Sequence, residues 1–136
     1  MQGIKDFIPT GQKIAYINQL LRVGFDTIDF GSFVSPKAIP QMADTQEVLQ
    51  SLDLKDSKSK LLAIVANKRG AIDACAHDPI QYLGYPFSIS ETFQMRNTNS
   101  TIAESLDTIK EIQELCADHQ KKIGDLCIDG IWQSIR

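Results

Sequence analysis

The 136-residue chain carries 14 Lys+Arg against 17 Asp+Glu, a net charge of −3, with 43% hydrophobic and 23% charged residues. That balance suits one soluble globular domain and supplies no basic field for nucleic acid or an anionic membrane surface. No apolar run reaches the length of a membrane span, no charged-then-apolar leader opens the chain, and the three cysteines include no CxxC pair, which points to a reducing cytoplasm rather than a disulfide framework.

Residues 10–23 repeat apolar positions at helical spacing (Ile14, Ile17, Leu20, Leu21), with Thr10 placed to cap the start and Gly24 to end the helix in a left-handed turn. "FDTIDF" at 25–30 reads as a short strand, and "DTQEVLQSLDL" at 44–54 as a helix with Val48, Leu49 and Leu52 inward. "KLLAIVA" at 60–66 is a continuous apolar strand, the pattern of a parallel sheet. A short helix near 68–77 and a strand near 82–88 follow. From Thr101, which has capping-box spacing to Glu104, residues Ile102, Leu106, Ile109, Ile112 and Cys116 make one apolar stripe.

Strands and helices alternate at the spacing of βα units, which predicts a parallel α/β architecture, doubly wound or barrel. In both, chemistry gathers at the carboxyl ends of the strands. Three polar segments leave those ends: "GSFVSPKAIPQMAD", "ANKRG" and "SISETFQMRNTNS". The first carries two prolines, which limit the backbone freedom a loop loses on ordering.

These segments resemble the 3-hydroxy-3-methylglutaryl-CoA lyase family. "IDFGSFVSPKAIPQMAD" at 28–44 and "ANKRG" at 66–70 match, and "SISETFQMRNTNSTIAES" at 88–105 follows the family run S-E-x-F-x-x-x-N-x-N-x-(S/T)-x-x-E-S. The resemblance covers about Gln2 to Lys122. It implies an α/β fold that is a partial TIM (β/α)8 barrel, made of consecutive βα units with parallel strands. It also implies a carbon–carbon lyase that cleaves 3-hydroxy-3-methylglutaryl-CoA to acetyl-CoA and acetoacetate with a divalent metal, Mg2+ or Mn2+. Two other readings stay open, an isopropylmalate synthase-type condensing enzyme and a non-catalytic α/β fragment. The Ser32–Asp44 run favours the lyase.

Residue by residue, the resemblance implies a catalytic role for Asp29, where the family places a glutamate, and for Gln2. It implies acyl-CoA contacts for Ser32, Asn67, Ser90, Glu91, Asn97 and Asn99. Ser32 and Ser35 also suit hydrogen bonds within the loop, and Asn residues suit caps and turns. Lys37, Lys68 and Arg69 read as solvated surface charge. His77 and His119 do not match the family's metal-binding H-x-H pair, so no metal ligand is expected in this chain. Cys75 and Cys116 read as small core residues.

A barrel needs eight strands and typically about 250 residues, whereas three or four strands are countable here. The expectation is an N-terminal piece of a lyase barrel over 1–122, inactive by itself and self-associating through unpaired strand edges. Residues 123–136, "IGDLCIDGIWQSIR", lack strand alternation. Codons legal for them, read one base later, spell LVIYVSMGFGNPY, the family's continuation. A frameshifted, irregular tail over 123–136 is therefore expected.

Overall fold

The structure is a computed structural model and describes residues 3–127. Its order is α1 (Thr10–Val23), β1 (Thr27–Ser32), a 3-10 turn (Pro40–Met42), α2 (Thr45–Gln50), β2 (Lys60–Ile64), α3 (Lys68–Cys75), β3 (Ile80–Phe87), α4 (Glu91–Thr98), α5 (Ile102–Asp118) and β4 (Lys122–Cys127). The four strands form one sheet in the order β1-β2-β3-β4, and every pair is parallel. Consecutive βα units with parallel strands are therefore present.

Alternation along the strands sorts side chains onto two faces. Ile28, Phe30, Leu61, Ala63, Val65, Ile80, Leu83 and Tyr85 join Ile17, Leu21, Val48, Leu49, Ala71, Ala74, Ile109 and Ile112 in one buried cluster. The helices thus cover one face. Asp29 pairs in register with Leu62, and Leu62 with Tyr82, on the other face. A Cβ on Gly84 would meet Ile64 Cδ1 at 2.8 Å and Leu62 Cδ2 at 3.1 Å, which puts Gly84 and these two side chains on that same face.

Helix ends follow local chemistry. Gly24 ends α1 in the left-handed region at φ 81°, where glycine pays no Cβ penalty. Thr101 and Glu104 complete the expected capping box of α5. Lys121, just past α5, donates from Nζ to His77 O and Ile80 O at 2.8 and 2.7 Å, joining the end of α3 to the start of β3. Cys75 and Cys116 are core residues, and burial pushes the Cys116 thiol up to about 12. Among the described residues no helix is long and apolar enough to cross a membrane.

Besides shifts of one or two residues at the ends of β1, β2, α3 and β3, five details differ from expectation. Pro9 rather than Thr10 is the N-cap of α1, because the Thr10 hydroxyl donates to Asp44 Oδ2 at 2.8 Å. The second helix stops at Gln50, short of the predicted 54, with Leu52 only partly buried against the core. Leu106 is 45% exposed, since the side of α5 facing the sheet is narrower than its apolar stripe. The loop read after β3 contains α4, whose one buried residue is the polar Gln94, so hydrophobic periodicity had nothing to report. Finally, residues 123–127 are not irregular: β4 pairs with β3 from Tyr82↔Lys122 to Phe87↔Cys127. An open strand edge offers N–H and C=O groups that any backbone can satisfy, whatever its side-chain alternation. Residues 128–136 of the expected tail lie outside the described residues.

Candidate functional site at the carboxyl ends of the strands

The proline loop is built from its backbone outward. Phe33 N–H donates to Ile64 O at 2.8 Å, fixing the loop's start to β2. Ala38 and Ile39 N–H both donate to Ser35 O, at 2.9 and 3.0 Å, and Pro40 opens the 3-10 turn. Thr45 Oγ1 accepts from Ser32 N–H at 3.3 Å and donates to Met42 O at 2.8 Å, tying the loop's two ends together. The strand register shifts between Asp29 and Gly31, and such a bulge re-aims the side chains next to it.

A cleft of about 650 Å³ lies between this loop and α3, lined by Ser32, Ser35, Asn67, Arg69 and His77 among others. Ser32 is 5% exposed, and its hydroxyl has no hydrogen-bond partner among the described residues. Asn67 is the N-cap of α3, its Oδ1 accepting from Gly70 N–H at 2.9 Å. That bond uses only the carbonyl half of the amide, leaving the nitrogen's two donors for another partner. Phe33 stacks obliquely on His77, with ring centroids 5.5 Å apart.

Asp29 sits three residues before Ser32, on the face away from the helices. Water reaches its side chain, yet the protein around it excludes enough solvent that desolvation raises its pKa above the ordinary 3.8, with the Gly31 backbone N–H opposing the shift. It is a carboxyl poised to hold a proton more readily than a free aspartate does.

Ser90, Glu91, Asn97 and Asn99 lie along α4 and its ends, all exposed. Ser90 caps α4 by accepting from Phe93 N–H, Glu91 Oε2 accepts from Ile102 N–H at 3.2 Å, and Asn99 is the left-handed C-cap at φ 54°. Ser32 and Asn67 thus share one cleft, Asp29 stands on the sheet beside it, and the α4 group lies past the next strand. Gln2 lies outside the described residues. Among the described residues no three His, Cys, Asp or Glu side chains gather as a metal site.

Sequence reasoning missed the buried residues that hold the loops. Gln94 is fully buried: Oε1 accepts from Ser88 N–H at 2.7 Å, and Nε2 donates to Ser105 Oγ at 2.7 Å and Thr98 Oγ1 at 3.0 Å. Lys13 and Gln41 play the same part under the proline loop. A polar residue in a polar run carries no mark of burial; the one sequence signal was the helical spacing of Lys13 with the apolar Ile17 and Leu21 of α1.

No family model matches the chain. The mitochondrial hydroxymethylglutaryl-CoA lyase of Arabidopsis thaliana is 31% identical over 122 residues, 88% of this chain and 25% of that protein. The structure of the HMG-CoA lyase from Brucella melitensis matches with a TM-score of 0.86 and 34% identity, over 93% of this chain and 44% of that one. An HMG-CoA lyase from Acinetobacter baumannii, solved with coenzyme A and 3-methylmalate, matches with a TM-score of 0.84 and 32% identity, over 93% of this chain and 40% of that one. Relatives carry both mitochondrial and cytoplasmic names. The structural neighbours are TIM barrels, of which the four parallel strands and their helices form a part. The stretch spanning these matches belongs, by sequence and by fold, to the hydroxymethylglutaryl-CoA lyase family and corresponds to less than half the length of these relatives.

Proposed function

We propose that the chain supplies part of a carbon–carbon lyase that cleaves 3-hydroxy-3-methylglutaryl-CoA to acetyl-CoA and acetoacetate. The observation that carries this is positional. All three segments with family motifs leave the carboxyl ends of parallel strands, β1, β2 and β3, the end where such folds do chemistry.

In this reading Asp29 holds or passes a proton at the substrate hydroxyl, its raised pKa suiting it to acid–base exchange. Gln2 supports the same centre. The Ser32 hydroxyl, which has no partner among the described residues, donates to a substrate oxygen. Asn67 contacts the acyl-CoA through its uncommitted amide nitrogen, and Ser90, Glu91, Asn97 and Asn99 line its path. The divalent metal, Mg2+ or Mn2+, is assigned to ligands other than the described residues, and the compartment to the cytoplasm.

The test is binding. Hydroxymethylglutaryl-CoA titrated into the folded chain should give saturable NMR shifts in segments 32–44, 67–70 and 88–99, with no acetoacetate released. A folded chain with no saturable shift in these segments overturns the reading, and turnover well above a metal-free blank overturns the assignment of the metal elsewhere. The one-base shift at Ile123 is likewise a proposal, which β4 does not decide because backbone pairing tolerates either set of side chains. Resequencing the gene across the Lys121 and Lys122 codons would, since a confirmed reading frame into Ile123 removes the idea.

A further inference from the structure

Lys13 is 2% exposed, and lysine is almost never fully buried unless paired. Its ammonium gathers three pieces of chain. Nζ lies 2.7 Å from Asp44 Oδ1, donates to Gln41 O, and stands 4.1 Å from the centroid of the Phe7 ring. Asp44 turns its other oxygen to the Thr10 hydroxyl. It makes no side-chain cap on α2, although it occupies the N-cap position.

Gln41, 5% exposed, repeats the arrangement without a charge. Its Oε1 accepts from Ile8 N–H at 2.8 Å, and its Nε2 donates to Ile4 O at 3.1 Å and Asp6 O at 2.9 Å. Residues 4–9 have no helix or strand of their own, so these bonds and the Phe7 contact are what places them. A buried ion pair is a weak source of stability, because desolvation offsets most of its attraction. What it supplies well is a single arrangement of the parts it joins.

We infer that Lys13 and Gln41 are positioning residues that lock segment 4–9 onto the proline loop, so that the loop keeps its shape at the carboxyl end of β1 only while that segment is docked. The lock rests on the contacts above. Its bearing on acyl-CoA binding rests on the function proposed in the preceding section.

Amide hydrogen exchange on the 136-residue chain tests it, comparing wild type with Lys13→Met, Gln41→Leu and Lys13→Met/Asp44→Leu. The double variant removes both charges together, so no lone buried ion threatens folding. In each variant the amides of Ile8, Ile39, Met42 and Ala43, all hydrogen-bonded in this region, should exchange together, about tenfold or more faster. Those of Ile109 and Ile112 in α5 should not change. Faster exchange at Ile8 with the loop amides unmoved would show two independent segments and overturn the lock. Equal acceleration in α5 would show mere loss of global stability and overturn it too. A second measurement separates the two proposals. The double variant should bind hydroxymethylglutaryl-CoA about tenfold or more weakly, whereas a wild-type chain that does not bind it sinks the function but leaves the exchange result standing.

Discussion

Asp29 is touched by water yet flanked by protein that desolvates its carboxyl. Its folded-state pKa is raised above 3.8 by desolvation, so folding favours the neutral acid and ionisation costs stability as pH rises from 3.8 through the raised value. Asp29→Asn should therefore melt at a higher temperature than wild type at pH 7, with the gap closing as pH falls towards 3.8; thermal melts across that range check it. Gly70 gives a second expectation. A Cβ there would lie 2.3 Å from Phe33 O, and because that neighbour is backbone the proline loop would have to move. Gly70→Ala should cost about 1–3 kcal/mol in denaturant unfolding. Gly11 in α1 has nothing within 4 Å of its added Cβ, so Gly11→Ala should be neutral or stabilising by up to about 1 kcal/mol.

Helix α5 owes its sharp start to reciprocal bonds: Thr101 N–H to Glu104 Oε2 at 2.8 Å, and Glu104 N–H to Thr101 Oγ1 at 3.2 Å. Thr101→Ala should lower stability by about 1 kcal/mol, and exchange at the first turn of α5 should rise more than at Ile112. This cap was readable in advance, as were α1 and the start of β2, because each is written in neighbouring residues. Helix α4 was not. Its Ser90 cap and Asn99 terminus look like any polar loop, and Gln94 is buried by contacts with Ser88 and Ser105 on other elements. Strand β4 was hidden for the opposite reason: its side chains argued against a strand while the edge of β3 argued for one. Of the candidate site, the motifs of the three loops were legible as a family pattern. The caps made by Asn67 and Ser90, the solitary hydroxyl of Ser32 and the burial of Lys13 needed coordinates, since each depends on what another segment brings near.

The strand order leaves β1 and β4 at the two margins of the sheet among the described residues. Unpaired strand edges invite pairing with another copy, and Ile4, Phe7, Val23 and Phe25 add exposed apolar surface, each at least half exposed. We expect the purified chain to self-associate. Sedimentation velocity should show a weight-average mass rising with concentration, and a single 15.1 kDa species at all concentrations would refute it.

In the same order each strand lies beside the one that follows it in the chain. No contact between strands has to wait for a distant part of the sequence, so loop-closure entropy is met in small instalments. During synthesis each new βα unit would find its template already standing, with β1 and β2 paired before β3 leaves the ribosome. Growth by accretion also makes unfolding directional. The outermost units, held on one side, should be the first to peel away, and the β2–β3 pair at the centre the last to lose its memory of the fold.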